Sequence, residues 1–156
     1  MEIEEGQKEA AFAAGCFWGV ETKFRKVRGV VDTEVGYMGG NKEEPTYEEV
    51  CTGRTDHAET VHLVYDPEVI SYEELLDLFW EIHDPTTPNR QGPDVGTQYR
   101  SVIFYYDQGQ RNAAEGSRDR VGKSKRFRRK VVTGIVPATT FWRAEKYHQR
   151  YFEKIG

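Results

Sequence analysis

Cysteine is scarce in this chain of 156 residues, and other features are missing as well. Two cysteines, Cys16 and Cys51, are too few for a disulfide framework and are typical of a reducing compartment. The histidines show no spacing with them that matches a zinc site, so we expect no metal and no other bound cofactor. No apolar run approaches the ~20 residues that span a bilayer. The acidic N-terminus is opposite in charge to the start of a signal peptide, so the sequence predicts a cytoplasmic protein.

Positive charge is also limited, because the formal net charge is −4. The chain as a whole is therefore not expected to bind nucleic acid electrostatically. The exception is the range 118–130, which contains eight Lys or Arg residues and one Asp. Phe127 is its only aromatic residue that can stack on a base, so a solvated helix face is the favoured interpretation. Nucleic-acid association remains a weak alternative for this segment.

What the sequence does contain is an unusual stretch from Gly15 to Glu21, with the sequence GCFWGVE. A small, apolar run precedes it, and Phe17, Val20 and Phe24 follow at helical spacing. This pattern predicts a buried strand, a tight turn at Gly15 and a helix that begins at Cys16. A thiol at a helix N-terminus lies near free N–H groups, which lower the pKa of cysteine and favour the reactive thiolate. The alternative is a buried, structural cysteine.

The remaining elements interleave strands and helices within one domain, residues 1–156. We predict strands over 29–35, 60–65, 99–106 and 131–136, and helices after Thr46, after Ser71, over 108–129 and over 142–154. Thr46 and Ser71 each begin a capping box. The range 84–98 contains three prolines and no periodicity, and a loop of that length is typical of a functional segment. The pattern indicates an α+β class, with one sheet that carries helices.

Glu59 is the carboxylate that combines best with a reactive thiol. It comes directly before an apolar strand, where burial raises the pKa of a carboxyl group and keeps it protonated. A protonated carboxylic acid can donate a proton, as general acid catalysis requires. Taken alone, Glu59 and Asp94 could be surface carboxylates, and Tyr47 and Tyr99 could be half-buried core residues. We expect His57 to be a surface or satisfied histidine rather than a base for Cys16.

Read together, these stretches resemble the A-type peptide methionine sulfoxide reductases. The resemblance is strong from about Ala10 to Ser101 and weaker at AEKYHQ, residues 144–149. It rests on the following segments: GCFWGVE at 15–21, GYMGG at 36–40, PTYEEVC at 45–51, HAE at 57–59, YDP at 65–67, HDPT at 83–86 and RQGPDVGTQYRS at 90–101. It implies a ferredoxin-like split βαββαβ core with added helices and long loops.

The resemblance also implies a role for each site residue. Cys16 attacks the sulfur of methionine sulfoxide, as the S epimer, and becomes a sulfenic acid. Phe17 and Trp18 form the apolar pocket for the methyl group of the substrate. Tyr47, Glu59 and Tyr99 hydrogen-bond and protonate the sulfoxide oxygen, and Asp94 organises the site. The function so implied is repair of oxidised proteins by a monomeric enzyme.

The end of the chain departs from many relatives, which carry resolving cysteines there. The range 151–156 has none, so direct reduction of the sulfenic acid by thioredoxin or a small thiol is expected. Cys51 is the lesser candidate for a resolving residue.

Two rival functions remain open from the sequence. A cysteine peroxidase or cysteine hydrolase is one, although a hydrolase should pair its thiol with a histidine base. A binding module that recognises oxidised or methylated side chains without reaction is the other. That module would tolerate Cys16→Ser, whereas a reductase would lose its activity.

Overall fold

The chain is built on a six-stranded sheet, described here from a computed structural model for residues 1–155. The strands follow the order β7-β6-β1-β3-β2-β8 across the sheet. All neighbouring strands are antiparallel except β6 and β7, which are parallel. Their bounds are β1 Lys8–Ala14, β2 Val30–Met38, β3 Ala58–Tyr65, β6 Ser101–Tyr105, β7 Gly134–Pro137 and β8 Trp142–Arg143. A separate hairpin pairs β4, Arg90–Gln91, with β5, Asp94–Val95.

Within residues 1–155, five α-helices and two short 3-10 helices accompany these strands. They are α1 Phe17–Arg25, α2 Tyr47–Cys51, α3 Tyr72–Glu81, α4 Gln108–Lys123 and α5 Tyr151–Ile155, with 3-10 turns at Thr97–Tyr99 and Lys146–His148. Both predicted capping boxes are confirmed: Thr46 caps α2 and Ser71 caps α3, each with a reciprocal glutamate three residues later. Within residues 1–155, no helix is both long and apolar enough to cross a membrane.

The larger part of the core lies between the sheet and the helices. Phe12 of β1 stacks on Phe24 of α1, with ring centroids 5.1 Å apart, and on Tyr72 of α3. Helix α4 packs outside α3, where the Trp80 indole N–H donates to the Ser117 hydroxyl at 2.7 Å. Ala11, Ala13, Met38 and Phe104 belong to a second, smaller apolar cluster. The predicted class is thus confirmed as a mixed α/β chain with a sheet core.

Strand β2 is longer than predicted. We expected Gly36 to end it, but the strand continues to Met38. A Cβ at Gly36 would lie 2.4 Å from the Trp142 carbonyl oxygen. Gly36 therefore permits the close approach of β8 rather than a break in the strand.

The predicted helix over 142–154 is wrong for most of its length. Trp142 and Arg143 pair with β2, and the chain then forms a 3-10 turn before the short α5. Arg150 has a φ of +51°, which interrupts any continuous helix. Side-chain bonds replace helical ones here, since Gln149 bonds both backbone groups of Val35.

The basic range 118–130 is also only partly helical. Helix α4 ends at Lys123 with Ser124 as its C-cap, and Lys125 has a φ of +60°. The following residues form an exposed loop, so the favoured interpretation of a solvated helix face holds only for residues 118–123.

Candidate active site

Cys16 lies at the turn between β1 and α1, as predicted. Gly15 makes the turn with a φ of +98°, and Cys16 is the N-cap residue of α1. The thiol is half-buried and free. The side chain of Gln91 covers the turn, because a Cβ at Gly15 would lie 2.8 Å from Gln91 Cγ. The hairpin β4–β5 is thereby held against the residue that precedes the thiol.

The pKa of Cys16 is raised to about 11, contrary to the predicted decrease. Burial is the largest cause, because it removes the charged thiolate from water. The backbone N–H groups of Trp18 and Gly19 lower this pKa, as a helix N-terminus should, but Glu59 and Asp94 raise it through charge repulsion. The prediction failed because it considered only the effect of the helix N-terminus on the pKa. It left out burial of the thiol and the charges of the two carboxylates. The resting site therefore holds a thiol at neutral pH.

Glu59 of β3 is the most perturbed carboxyl group near the thiol. It is 1% exposed, and its Oε1 accepts the N–H of Phe17 at 3.2 Å. Its Oε2 has no hydrogen-bond partner within the described part of the chain. Burial raises the pKa of Glu59 to about 8, the N–H of Phe17 lowers it, and Asp94 raises it further. Glu59 is mostly protonated at pH 7, with one carboxyl oxygen unengaged.

Tyr47 and Tyr99 bring two phenols to the same region. Tyr47 begins α2, and Tyr99 ends the 3-10 turn that follows the hairpin. Burial raises the pKa of both phenols, to about 12 for Tyr99, so each remains a donor at physiological pH. Charge repulsion from Glu59 and Cys16 contributes to the increase at Tyr99. The phenols therefore lie close enough to the thiol and the acid to share their electrostatics.

Cys51 lies one turn after Tyr47, at the end of α2. It is exposed, so it is not a small core residue behind Tyr47. Burial raises its pKa, although the Tyr47 hydroxyl lowers it. Tyr99 experiences both thiols, because Cys51 and Cys16 each raise its pKa.

Asp94 is carried by the hairpin within the loop 84–98. Its half-buried carboxylate raises the pKa of both Cys16 and Glu59. The hairpin is closed by the Gly96 N–H, which donates to the Asn89 carbonyl at 2.9 Å. Gln91 also bonds the backbone of Asp84. The long loop is therefore ordered around the site.

Phe17 and Trp18 differ in exposure. Phe17 is 1% exposed and packs on Tyr37, whereas Trp18 is half-buried. The Trp18 indole N–H donates to Nδ1 of His148 at 2.9 Å, and its ring stacks on Tyr151 at 3.8 Å. Trp18 is thus fixed in orientation by the end of the chain.

Two residues were missed as components of this site, His148 and Glu145. The His148 ring lies 4.4 Å from that of Tyr47, and its buried Nε2 has no partner among the described residues. Glu145 accepts the Tyr37 hydroxyl at 2.8 Å and the Tyr47 N–H at 2.9 Å. Their only signal was the weak similarity over 144–149, because no sequence spacing relates them to Cys16.

His57 is a satisfied histidine, as expected. Its Nδ1 accepts the Gly40 N–H at 3.0 Å, and its Nε2 donates to the Lys42 carbonyl at 2.7 Å. It is thus engaged on both nitrogens and unavailable as a base. Across residues 1–155 we also find no group of three or more His, Cys, Asp or Glu side chains suited to a metal ion.

The sequence matches the family model described as peptide methionine sulfoxide reductase over residues 8–156. The chain belongs to this family. It is 61% identical to peptide methionine sulfoxide reductase MsrA of Methanoculleus marisnigri over 156 residues, which is 100% of this chain and 95% of that protein. It is 65% identical to the protein of that name from Methanothermobacter thermautotrophicus, over 94% of this chain and 87% of the other.

Solved structures agree with this membership of the peptide methionine sulfoxide reductases. Reduced Mxr1 from Saccharomyces cerevisiae superposes with a TM-score of 0.91 at 40% identity, and covers 98% of this chain and 88% of that one. Methionine sulfoxide reductase A of Corynebacterium diphtheriae gives a TM-score of 0.85 at 39% identity, over 97% and 76% of the two chains. Mxr1 in complex with Trx2 gives a TM-score of 0.69 at 27% identity, over 97% and 89%.

Proposed function

We propose that this protein reduces the S epimer of methionine sulfoxide, free or in proteins, to methionine. The observation that carries the proposal is the Cys16 thiol at the start of α1, beside a buried Glu59 with a pKa of about 8. A sulfoxide oxygen leaves only when it is protonated, so a nucleophile beside a protonated acid matches the reaction.

In the proposed reaction, Cys16 attacks the sulfoxide sulfur, and its thiol proton passes to Glu59 to replace the proton that Glu59 gives to the sulfoxide oxygen. Glu59 protonates the sulfoxide oxygen, and the Tyr47 and Tyr99 phenols donate hydrogen bonds to it as charge develops. The S–O bond breaks, the oxygen passes to the Cys16 sulfur, and methionine leaves. The thiol is oxidised by two electrons to a sulfenic acid, and the sulfoxide is reduced by the same two.

The substrate methyl group is assigned to the apolar wall that Phe17 and Trp18 provide. Trp18 has the exposed surface, and Phe17 supports it from the core. Asp94 is proposed to organise the site, because its charge adds to the effect of burial, the main cause, in raising the pKa of Glu59.

Recycling requires an external dithiol and no bound cofactor. Two reductant thiols convert the sulfenic acid back to the thiol, with release of water and formation of a disulfide in the reductant. A thioredoxin-like protein is the proposed reductant, with support from the Mxr1–Trx2 complex. The reducing cytoplasm is the matching proposal, since both cysteines are free thiols. The protein is proposed to act there as a monomer.

We also propose that the four central strands form a ferredoxin-like split βαββαβ core, in one domain over 1–156. The support is the element order β1-α1-β2-β3-α3-β6, interrupted by α2 and the hairpin, and the antiparallel order β6-β1-β3-β2.

The deciding experiment supplies a peptide with one methionine sulfoxide and dithiothreitol, with each sulfur epimer tested separately. We expect the S epimer to be reduced and the R epimer to remain. Peptide hydrolysis or reduction of peroxide alone would favour the rival cysteine enzymes, and binding without reduction would favour a recognition module. The matched control is Cys51→Ser, which should retain the first turnover.

A further inference from the structure

The strongest charged feature outside the site is a loop that follows α4. Residues 124–130, here called the basic loop, contain Lys125, Arg126, Arg128, Arg129 and Lys130. All five side chains are exposed. No ion pair joins any of them to another residue in the described range 1–155. These exposed cations form a local positive patch on a chain with a net charge of −4, and such a patch attracts anions.

The basic loop packs against the loop that carries the active-site hairpin. Two residues after the basic loop, the Val132 N–H donates to the Pro85 carbonyl at 2.8 Å, which holds the end of the basic loop beside the loop 84–98. Between them lies a groove of about 380 Å³. Its walls include Thr86, Arg90 and Gly92 from the hairpin loop and Arg126, Arg128 and Arg129 from the basic loop.

The charge of this groove is predominantly positive. Four arginines line it, and the only carboxylate is Asp84. Asp84 already accepts the N–H and the hydroxyl of Thr86, at 2.9 and 2.6 Å. The charge of Arg129 also helps to lower the pKa of Asp84. Arg90, Arg126 and Arg128 have no ion pair in the described range 1–155 and can bind carboxylates of a ligand.

The hairpin links this groove to the thiol. Gln91 of β4 covers Gly15, next to Cys16, and Gly92, the next residue along the hairpin, lines the groove. A peptide with its oxidised methionine at Cys16 can thus continue across the hairpin turn into the groove. Six extended residues span about 20 Å, so we assign the groove to acidic positions within a few residues of the methionine sulfoxide.

We propose that the basic groove binds acidic residues that flank methionine sulfoxide in protein substrates. The inference rests on the proposed reductase activity and names a substrate class for it. A nucleic acid is a less suitable ligand, since Phe127 is the only aromatic residue of the basic loop that can stack on a base. The groove also lies beside the loop 84–98, which carries the active-site hairpin.

The test compares three S-epimer peptides whose flanking residues are Glu, Gln or Lys, with dithiothreitol as reductant. At low ionic strength we expect kcat/KM for the Glu peptide to exceed that for the Lys peptide by about tenfold, the low end of electrostatic steering. The preference should shrink at about 0.2 M salt because screening weakens exposed charges. Absence of a preference at low salt overturns the inference.

The variants are Arg126→Gln, Arg128→Gln and Arg129→Gln together, and the matched control Lys23→Gln, Lys26→Gln and Arg28→Gln. The control removes three exposed cations at and just beyond the far end of α1. The first set should lose most of the preference and keep the rate on the Gln peptide, whereas the control keeps both. Replacement of the same three arginines by lysine should retain the preference. An equal loss in the control set contradicts a specific groove.

Failure of the reductase proposal is distinguished by a binding assay. A fluorescent Glu-flanked peptide with unoxidised methionine needs no turnover, and it should bind wild type more tightly than the arginine variant. If the arginine variant instead loses only its affinity for an oligonucleotide, or shows only a higher KM for a protein reductant, the groove binds that partner and the inference is wrong.

Discussion

At the scale of single residues, Cys16 and Glu59 form a coupled pair. The ionised carboxylate raises the pKa of the thiol, and burial raises the pKa of the carboxyl group. At neutral pH both protons stay in the site, so neither group is reactive or charged at rest. When the substrate accepts the Glu59 proton, the Cys16 thiol must also lose its proton to become the nucleophilic thiolate. This requirement couples nucleophilic attack to protonation of the sulfoxide oxygen.

Cys16→Ser should abolish turnover, because the hydroxyl keeps the shape of the side chain but supplies no thiolate. Reduction of an S-epimer peptide is the measurement, and Cys51→Ser is the control that removes the other thiol. Circular dichroism should show an unchanged fold. Activity above a few per cent of wild type would exclude Cys16 as the nucleophile.

Glu59→Gln should lower the first-turnover rate by about 10²–10³-fold, the usual effect of losing one donor to developing charge. The pH profile is the sharper readout. In wild type the rate should fall as pH rises through about 8, because Glu59 there loses the proton that it donates to the sulfoxide oxygen. The variant should lose the change of slope near pH 8.

Glu48→Gln removes an exposed carboxylate on α2 and serves as the control. An identical rate for Glu59→Gln and wild type at every pH would place the acid elsewhere.

At the scale of elements, the sequence predicted local structure well where the signal is local. Thr46 and Ser71 each accept a backbone N–H at the start of their own helix, so both capping boxes could be predicted from neighbouring residues. The end of the chain was misread because its conformation depends on distant partners. Gln149 bonds Val35, and Glu145 bonds Tyr37 and Tyr47 across about a hundred residues.

The site follows the same division. Cys16, Glu59, Tyr47, Tyr99 and Asp94 could be selected from sequence motifs. His148 could not be selected, because its contact with Trp18 spans 130 residues. The direction of the Cys16 pKa also depends on burial, which no local pattern reports.

The turn between β1 and α1 offers a prediction at this scale. Gly15→Ala should destabilise the protein by about 1–2 kcal/mol, because a φ of +98° is unfavourable for alanine. The added methyl would also press on Gln91, 2.8 Å away, and displace the hairpin. Urea unfolding and the rate of thiol alkylation at Cys16 measure the two effects.

Gly6→Ala is the matched control, because Gly6 also has a positive φ, +85°, but no atom within 4 Å of the added Cβ. It should lose stability without a change in Cys16 reactivity. Equal alkylation rates in both variants and wild type would contradict the proposed contact between Gly15 and the hairpin.

At the scale of the whole molecule, Glu59 should make stability depend on pH. Its pKa rises from 4.5 to about 8 on folding, so the folded state binds more protons within that window. The free energy of unfolding therefore falls as pH rises from about 4.5 to 8, by at most about 4–5 kcal/mol at 1.36 kcal/mol per pKa unit.

Glu59→Gln should remove this loss, so its stability relative to wild type should increase from pH 5 to pH 8.5. Urea denaturation at both pH values measures the difference, and Glu68→Gln on the surface controls for the lost formal charge. A constant difference across the window would show that the carboxyl group is not protonated in the folded state.

Recycling of the Cys16 sulfenic acid depends on whether Cys51, at the end of α2, can reach Cys16. Cys16 and Cys51 are the only thiols, so an intramolecular disulfide must join them. Cys51 is exposed at the end of α2, and a disulfide requires Cα atoms roughly 4.4–6.8 Å apart. Tyr47 lies one turn before Cys51 and is held in place through its N–H by Glu145, so a shift of Cys51 would disturb α2. We therefore expect the Cys16 sulfenic acid to persist until an external thiol reduces it.

The measurement is a thiol count after one equivalent of substrate without reductant, with Cys51→Ser as control. One free thiol and a trapped sulfenic acid at Cys16 support the external route. No free thiol, with a Cys16–Cys51 link in the peptide map of the monomer, would establish Cys51 as the resolving residue and require α2 to rearrange.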